Sequence, residues 1–149
     1  MSDAVTFSRN RSTHSDIMGH LFECDSSFHP TLSHRVSIPD YSLKLATQAD
    51  RFEAWADKKL AGLVAAYVND PEGSISFISS VSVLNSWRRQ GIAETLLNMC
   101  VNFVQKQNFE QIKLHVSSDN SGAVHLYQRS GFKILDHSEN RLLMYVSLG

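Results

Sequence analysis

A chain of 149 residues, 42% hydrophobic and 19% charged, suits one folded domain with a real core and excludes both disorder and two ordinary domains. A net charge of −1 gives no field to hold nucleic acid, no Lys/Arg run forms a binding stripe, and no apolar run reaches the roughly 18–20 residues that span a bilayer. Its seven histidines fall in no zinc spacing with Cys24 and Cys100, so no metal is expected, and two distant thiols fit a reducing compartment. Met1-Ser2-Asp3-Ala4 lacks the basic-then-apolar pattern of a signal peptide, and the expectation is a cytoplasmic protein.

In chain order, residues 4–9 read as a short strand. Ser12 or Thr13 caps a helix with apolar positions Ile17, Met18, Leu21 and Phe22. Residues 24–39 are irregular and carry Phe28, Pro30, Leu32, His34, Arg35 and Ile38. They form either a substrate lid or an apolar plug at the end of the core. Pro39 suits the first turn of a second helix holding Tyr41, Leu43, Leu45 and Ala46. Residues 51–56, 60–68 and 74–84 read as three strands, joined at Asp57-Lys58-Lys59 and at Asn69-Asp70-Pro71-Glu72-Gly73, which makes an antiparallel meander. The middle strand is apolar throughout and should be buried on both faces. A helix follows from Ile92 to about Gln107, with Leu96, Leu97, Cys100, Phe103 and Val104 on its apolar face and Asn108 as a left-handed stop. Residues 111–116 return as a strand parallel to 74–84. Asp119 or Asn120 caps a last helix that ends at Gly131, and residues 132–135 and 142–148 close the sheet as a hairpin. The sum is one α+β domain over residues 1–149 with a mixed, mainly antiparallel sheet.

The joint at 88–93 contains the first chemistry. A helix entry has amides without intrahelical partners and the positive end of the macrodipole. Gly91 has no Cβ to hold an anion off, and Arg88 and Arg89 add charge, which fits a diphosphate. An ordinary exposed strand–helix joint would look the same. Neither a dinucleotide fingerprint nor a P-loop is present.

Two motifs together carry a resemblance. The run Val83-Leu84-Asn85-Ser86-Trp87-Arg88-Arg89-Gln90-Gly91-Ile92-Ala93 resembles the coenzyme motif of the GNAT superfamily of acetyl-coenzyme A-dependent N-acetyltransferases. Asn120, Ala123, Leu126-Tyr127 and Gly131-Phe132 resemble that superfamily's second signature, at the right separation. Asn85 stands for the usual proline and Arg89 for a common glycine. The resemblance implies a GNAT fold: a mixed, mainly antiparallel sheet of roughly six or seven strands, about four helices, and strands splayed at the coenzyme site. It also implies acetyl-coenzyme A as cosubstrate. Backbone groups of Val81, Ser82 and Val83 would pair with the pantetheine arm. Amides of Arg88, Arg89, Gln90, Gly91, Ile92 and Ala93 would hold the pyrophosphate, Asn120 would contact the pantetheine, and Tyr127 would protonate the leaving thiolate.

The base and the acceptor are less legible. Glu53 is either the general base or a residue on the solvent face of an edge strand. His115 could face the cleft, but a hydrogen-bonded core histidine is the commoner arrangement. A water relay through Ser76, Ser79, Ser80 or Ser82 is also open. The run Phe28-His29-Pro30-Thr31-Leu32-Ser33-His34-Arg35 with Tyr41 resembles GNAT proteins of bacterial surface-polysaccharide pathways, some of which acetylate amino sugars, so Arg35 and Tyr41 are candidate acceptor contacts. The expected activity is acetyl transfer to a primary amine of a small molecule, by a monomer or homodimer. The alternatives are a protein N-acetyltransferase acting on an N-terminal or lysine amine, and a non-catalytic acyl-coenzyme A-binding module.

Overall fold

The first helix begins where Thr13 and Asp16 exchange caps. Thr13 Oγ1 accepts from Asp16 N at 3.1 Å, and Asp16 Oδ2 accepts from Thr13 N at 2.9 Å, which starts α1 (His14–Cys24). The computed structural model describes residues 4–149; the stretch Met1-Ser2-Asp3, read above for a leader, lies outside them. Strand β1 (Thr6–Arg9) precedes α1, and α2 (Ile38–Gln48) follows it with Ser37 as cap and Pro39 in its first turn. Between the helices the chain makes two short 3₁₀ turns rather than a fully irregular loop.

Strands β2 (Asp50–Ala56) and β3 (Lys59–Tyr67) are joined by Asp57 and Lys58, both at positive φ (52° and 66°), as a two-residue hairpin requires. Then come β4 (Ile75–Val83), α3 (Ile92–Lys106), β5 (Gln111–Ser117), α4 (Ser121–Arg129), β6 (Lys133–Ser138) and β7 (Arg141–Ser147). The sheet order is β1-β2-β3-β4-β5-β7-β6, and only β4 and β5 run parallel. Seven strands and four helices match the expected architecture, and Asn108 (φ 68°) is the left-handed stop expected after α3.

Two apolar layers sandwich the sheet. On one face Ile92, Leu96, Leu97, Cys100 and Val104 of α3 pack on Phe52, Ala54 and Val64. On the other, Ile17, Leu21, Ile38 and Leu45 of α1 and α2 pack on Leu60, Leu63 and Ala65. Successive β3 residues point to opposite layers, so the strand is buried on both faces. Gly62 lets α3 approach: a Cβ there would stand 2.8 Å from Ile92 Cγ2 and 3.2 Å from Leu96 Cδ1. Among the described residues no helix is long and apolar enough to cross a membrane.

Candidate active site

Strands β4 and β5 pair only over Ile75–Ile78 and Gln111–Leu114, then part. The β3–β4 register slips there: Ala65 faces Ser80 but Ala66 faces Ile78, so Ser79 is an extra residue that bends β4 away. Beyond the slip, residues 80–83 keep their ladder to β3 but have no strand on the other side among the described residues. A cleft of about 1640 Å³ opens in the gap, lined by Ser80, Val81, Ser82, Val83, Gly91, Ala93, Asn120 and Tyr127 among others.

The mouth of α3 closes one end of this cleft. Gly91 sits at φ 76° as the residue before the helix, with nothing within 4 Å of where a Cβ would be. Thr95 N makes the first helical bond, to Gly91 O at 3.0 Å. The amides of Gly91, Ile92, Ala93 and Glu94 therefore have no acceptor among the described residues, and they open at the cleft beside Arg88 and Arg89. Arg89 also adopts positive φ (63°), so this turn keeps a left-handed backbone even without glycine. Unpartnered amides, two arginines and a bare Cα make an anion cradle of the kind a diphosphate fills.

Tyr127 occupies the other end through the way α4 stops. Phe132 N bonds Tyr127 O at 2.9 Å and Gly131 N bonds Gln128 O at 3.1 Å, with Gly131 at φ 98°. This paired closure requires the glycine, and it brings the Phe132 ring edge-on to Tyr127, with 6.1 Å between centroids. Tyr127 is 7% exposed, and its hydroxyl has no hydrogen-bond partner among the described residues. Burial pushes the phenol above its ordinary pKa, so it holds its proton at neutral pH. Asn120 lines the cleft too, but its Oδ1 accepts from Ala123 N at 3.3 Å and caps α4.

The acetyltransferase (GNAT) family model matches residues 15–132. The chain belongs to that family. It is similar to GCN5-related N-acetyltransferase 6, chloroplastic, of Arabidopsis thaliana, at 32% identity over 101 residues, 68% of this chain and 34% of that protein. It is also similar to the probable N-acetyltransferase san of Drosophila melanogaster, at 32% identity over 88 residues, 58% of this chain and 48% of that one. The chain thus spans between about a third and a half of the length of these relatives. Its fold is that of the PaiA N-acetyltransferase of Thermoplasma acidophilum, crystallised in complex with coenzyme A, with a TM-score of 0.75 over 95% of this chain and 99% of that one at 17% identity.

The remaining expected residues divide. Arg35 and Tyr41 both line the cleft of this GNAT domain, across from α3. Arg35 is exposed and makes no ion pair among the described residues. The Tyr41 hydroxyl donates to Ser79 O at 3.1 Å and also touches Ser79 Oγ, latching α2 to the slipped residue of β4.

Glu53 is a correction: the structure does not bring it to the cleft. It is completely buried beneath β1, where Ser8 Oγ (3.0 Å), Arg11 N (2.9 Å), Ser12 N (2.9 Å) and Ser12 Oγ donate to its two oxygens and Arg51 Nε stands 3.6 Å away. Its lone pairs hold β1 and the start of α1 to the sheet.

His115 takes the cleft-facing position, the less favoured of its two readings: it is exposed in the cleft, its ring 5.3 Å from Phe77. Partial burial, aided by Arg141, lowers its pKa.

Sequence reasoning passed over His20. It is 2% exposed on α1 and bonded to Leu60 O and Ser82 Oγ, both at 2.8 Å. Its place on the stripe of Ile17, Leu21 and Cys24 was the available signal.

Proposed function

We propose that this chain transfers the acetyl group of acetyl-coenzyme A to a primary amine of a small molecule, an amino sugar being one acceptor to try. The observation that carries this reading is the open mouth of α3 beside the parted strands, with an unpartnered Tyr127 hydroxyl in the same cleft. Family membership supports acetyl transfer as the chemistry.

Amides of Gly91, Ile92 and Ala93, with Arg88 and Arg89, would hold the pyrophosphate. The free edge of β4 at Val81, Ser82 and Val83 would carry the pantetheine arm, with Gln90 at the turn and Asn120 Nδ2 across from it. The coenzyme supplies a thioester carbonyl activated for attack by an amine. Tyr127, protonated at neutral pH, donates toward the leaving sulfur. His115, neutral at that pH, is a titratable group in the cleft able to take the proton that the amine must lose, directly or through a water. The segment carrying Phe28, Pro30, Leu32 and Arg35 borders the cleft as a partial lid, which supports a compact acceptor over a long peptide. Arg35 suits an acceptor bearing a phosphate or carboxylate.

The test is release of free thiol from acetyl-coenzyme A across a panel of amino sugars, polyamines, amino acids and short peptides. Turnover concentrated among the small amines supports the reading. Faster turnover of peptide N-termini or lysines refutes the acceptor class, and tight coenzyme binding without turnover of any amine refutes the activity.

A further inference from the structure

His20 links the α1 layer to the cleft through one hydrogen bond. Leu60 O, 2.8 Å from Nδ1, can only accept, so Nδ1 carries a hydrogen. Burial pushes the imidazole pKa down to about 4, so the ring is neutral at pH 7 and its Nε2 has only a lone pair to offer. Ser82 Oγ, 2.8 Å away, must therefore donate to Nε2. A hydroxyl has one proton, and here it points away from the cleft that Ser82 lines. Only lone pairs face the cleft. Two residues earlier, on the same face of β4, Ser80 is 4% exposed, lines the cleft and has an Oγ with no hydrogen-bond partner among the described residues. Two hydroxyls on the unpaired stretch of β4 thus lack cleft-side partners.

We propose that His20 locks the Ser82 hydroxyl as an acceptor-only site for an N–H group lying along β4, supplied by the incoming amine or by an amide of the coenzyme arm. The proposal rests on the acetyl-transfer reading above. Ser82 would touch the ligand, and His20 is a positioning residue that acts through it. Cys24, its Sγ 3.8 Å from Nε2 and its thiol pushed up to about 11, is a weaker S–H donor at longer range, so the Ser82 hydroxyl at 2.8 Å is the better partner for the lone pair.

The test compares Ser82→Ala, His20→Leu and His20→Gln in the full chain. It measures coenzyme A dissociation by calorimetry, and acceptor KM and kcat by thiol release. Ser82→Ala and His20→Leu should each weaken either acceptor KM or coenzyme affinity by about fivefold to tenfold, the worth of one lost hydrogen bond. His20→Gln, whose amide can donate to Leu60 O and accept from Ser82, should stay within about threefold of wild type. A change confined to acceptor KM identifies the amine as the N–H source, and a change in coenzyme affinity identifies the arm. Ser82→Ala alone decides if His20→Leu fails to fold. An active wild type with a Ser82→Ala variant unchanged in both constants overturns this inference and spares the acetyl-transfer reading. A wild type that neither binds coenzyme nor turns over overturns both.

Discussion

Acidification should weaken this fold through His20 in particular. Replacing His20 with Gln, which does not titrate between pH 4 and 8, isolates the contribution. The folded chain holds this imidazole neutral down to about pH 4, because burial removes its hydration and Lys59 opposes a second positive charge. Glu23 and the Leu60 carbonyl offset this only in part. The unfolded chain takes up the proton near the ordinary value of 6.5. The folded pKa is the lower one, so its contribution is fully present above pH 6.5 and is lost as pH falls toward 4. At about 1.4 kcal/mol per unit, the loss is about 2 kcal/mol at pH 5 and about 3 kcal/mol near pH 4. Urea unfolding at pH 7.5 and pH 5 measures it. Wild type should lose about 2 kcal/mol more than His20→Gln between these pH values, or about 4–8 °C of melting temperature in a chain of this size. All other groups are common to both proteins, so equal losses would refute the buried neutral imidazole.

Tyr127→Phe should lower turnover by about a hundredfold or more while coenzyme affinity and melting temperature hold, since the hydroxyl has no hydrogen-bond partner among the described residues; unchanged turnover in the thiol assay would remove Tyr127 from the chemistry. Gly91→Val should abolish coenzyme binding by calorimetry. It puts a branched side chain at positive φ for about 1–2 kcal/mol but meets no neighbour, so the circular dichroism spectrum should not change. Glu53→Ala strands buried Arg51 and the donors of Arg11 and Ser12. It should cost about 3–5 kcal/mol in urea unfolding while leaving kcat per folded molecule unchanged, and a dead but fully stable variant would restore Glu53 as the base.

Legibility followed the range of the interaction that carried each feature. The second half was readable because its signals are local. Gly91 and Gly131 mark left-handed turns, the three-and-four spacing of Ile92, Leu96 and Cys100 marks a helix face, and the unbroken apolar run of β3 marks a strand covered twice. Glu53 was not readable. Alternation along β2 assigns it a face, but its partners Ser8, Arg11 and Ser12 lie about forty residues earlier, and nothing near Glu53 announces them. His20 lay in view on an apolar stripe, yet its tie to Ser82 spans 62 positions. The slip at Ser79 was hidden in a run of similar residues, since one extra residue in a strand changes no pattern when both neighbours are serine or isoleucine.

The absent Cβ of Gly62 acts as a spacer. It sets how closely α3 lies on β3, and thereby the gap between the anion cradle at its mouth and the edge of β4, whose Val83 pairs with Gly62. A single methyl group placed there would have to move Ile92 or lift the first turn of the helix. A carrier long enough to bridge cradle and strand would then meet a frame whose two anchor points no longer match its length, and affinity would change at a residue that does not line the cleft.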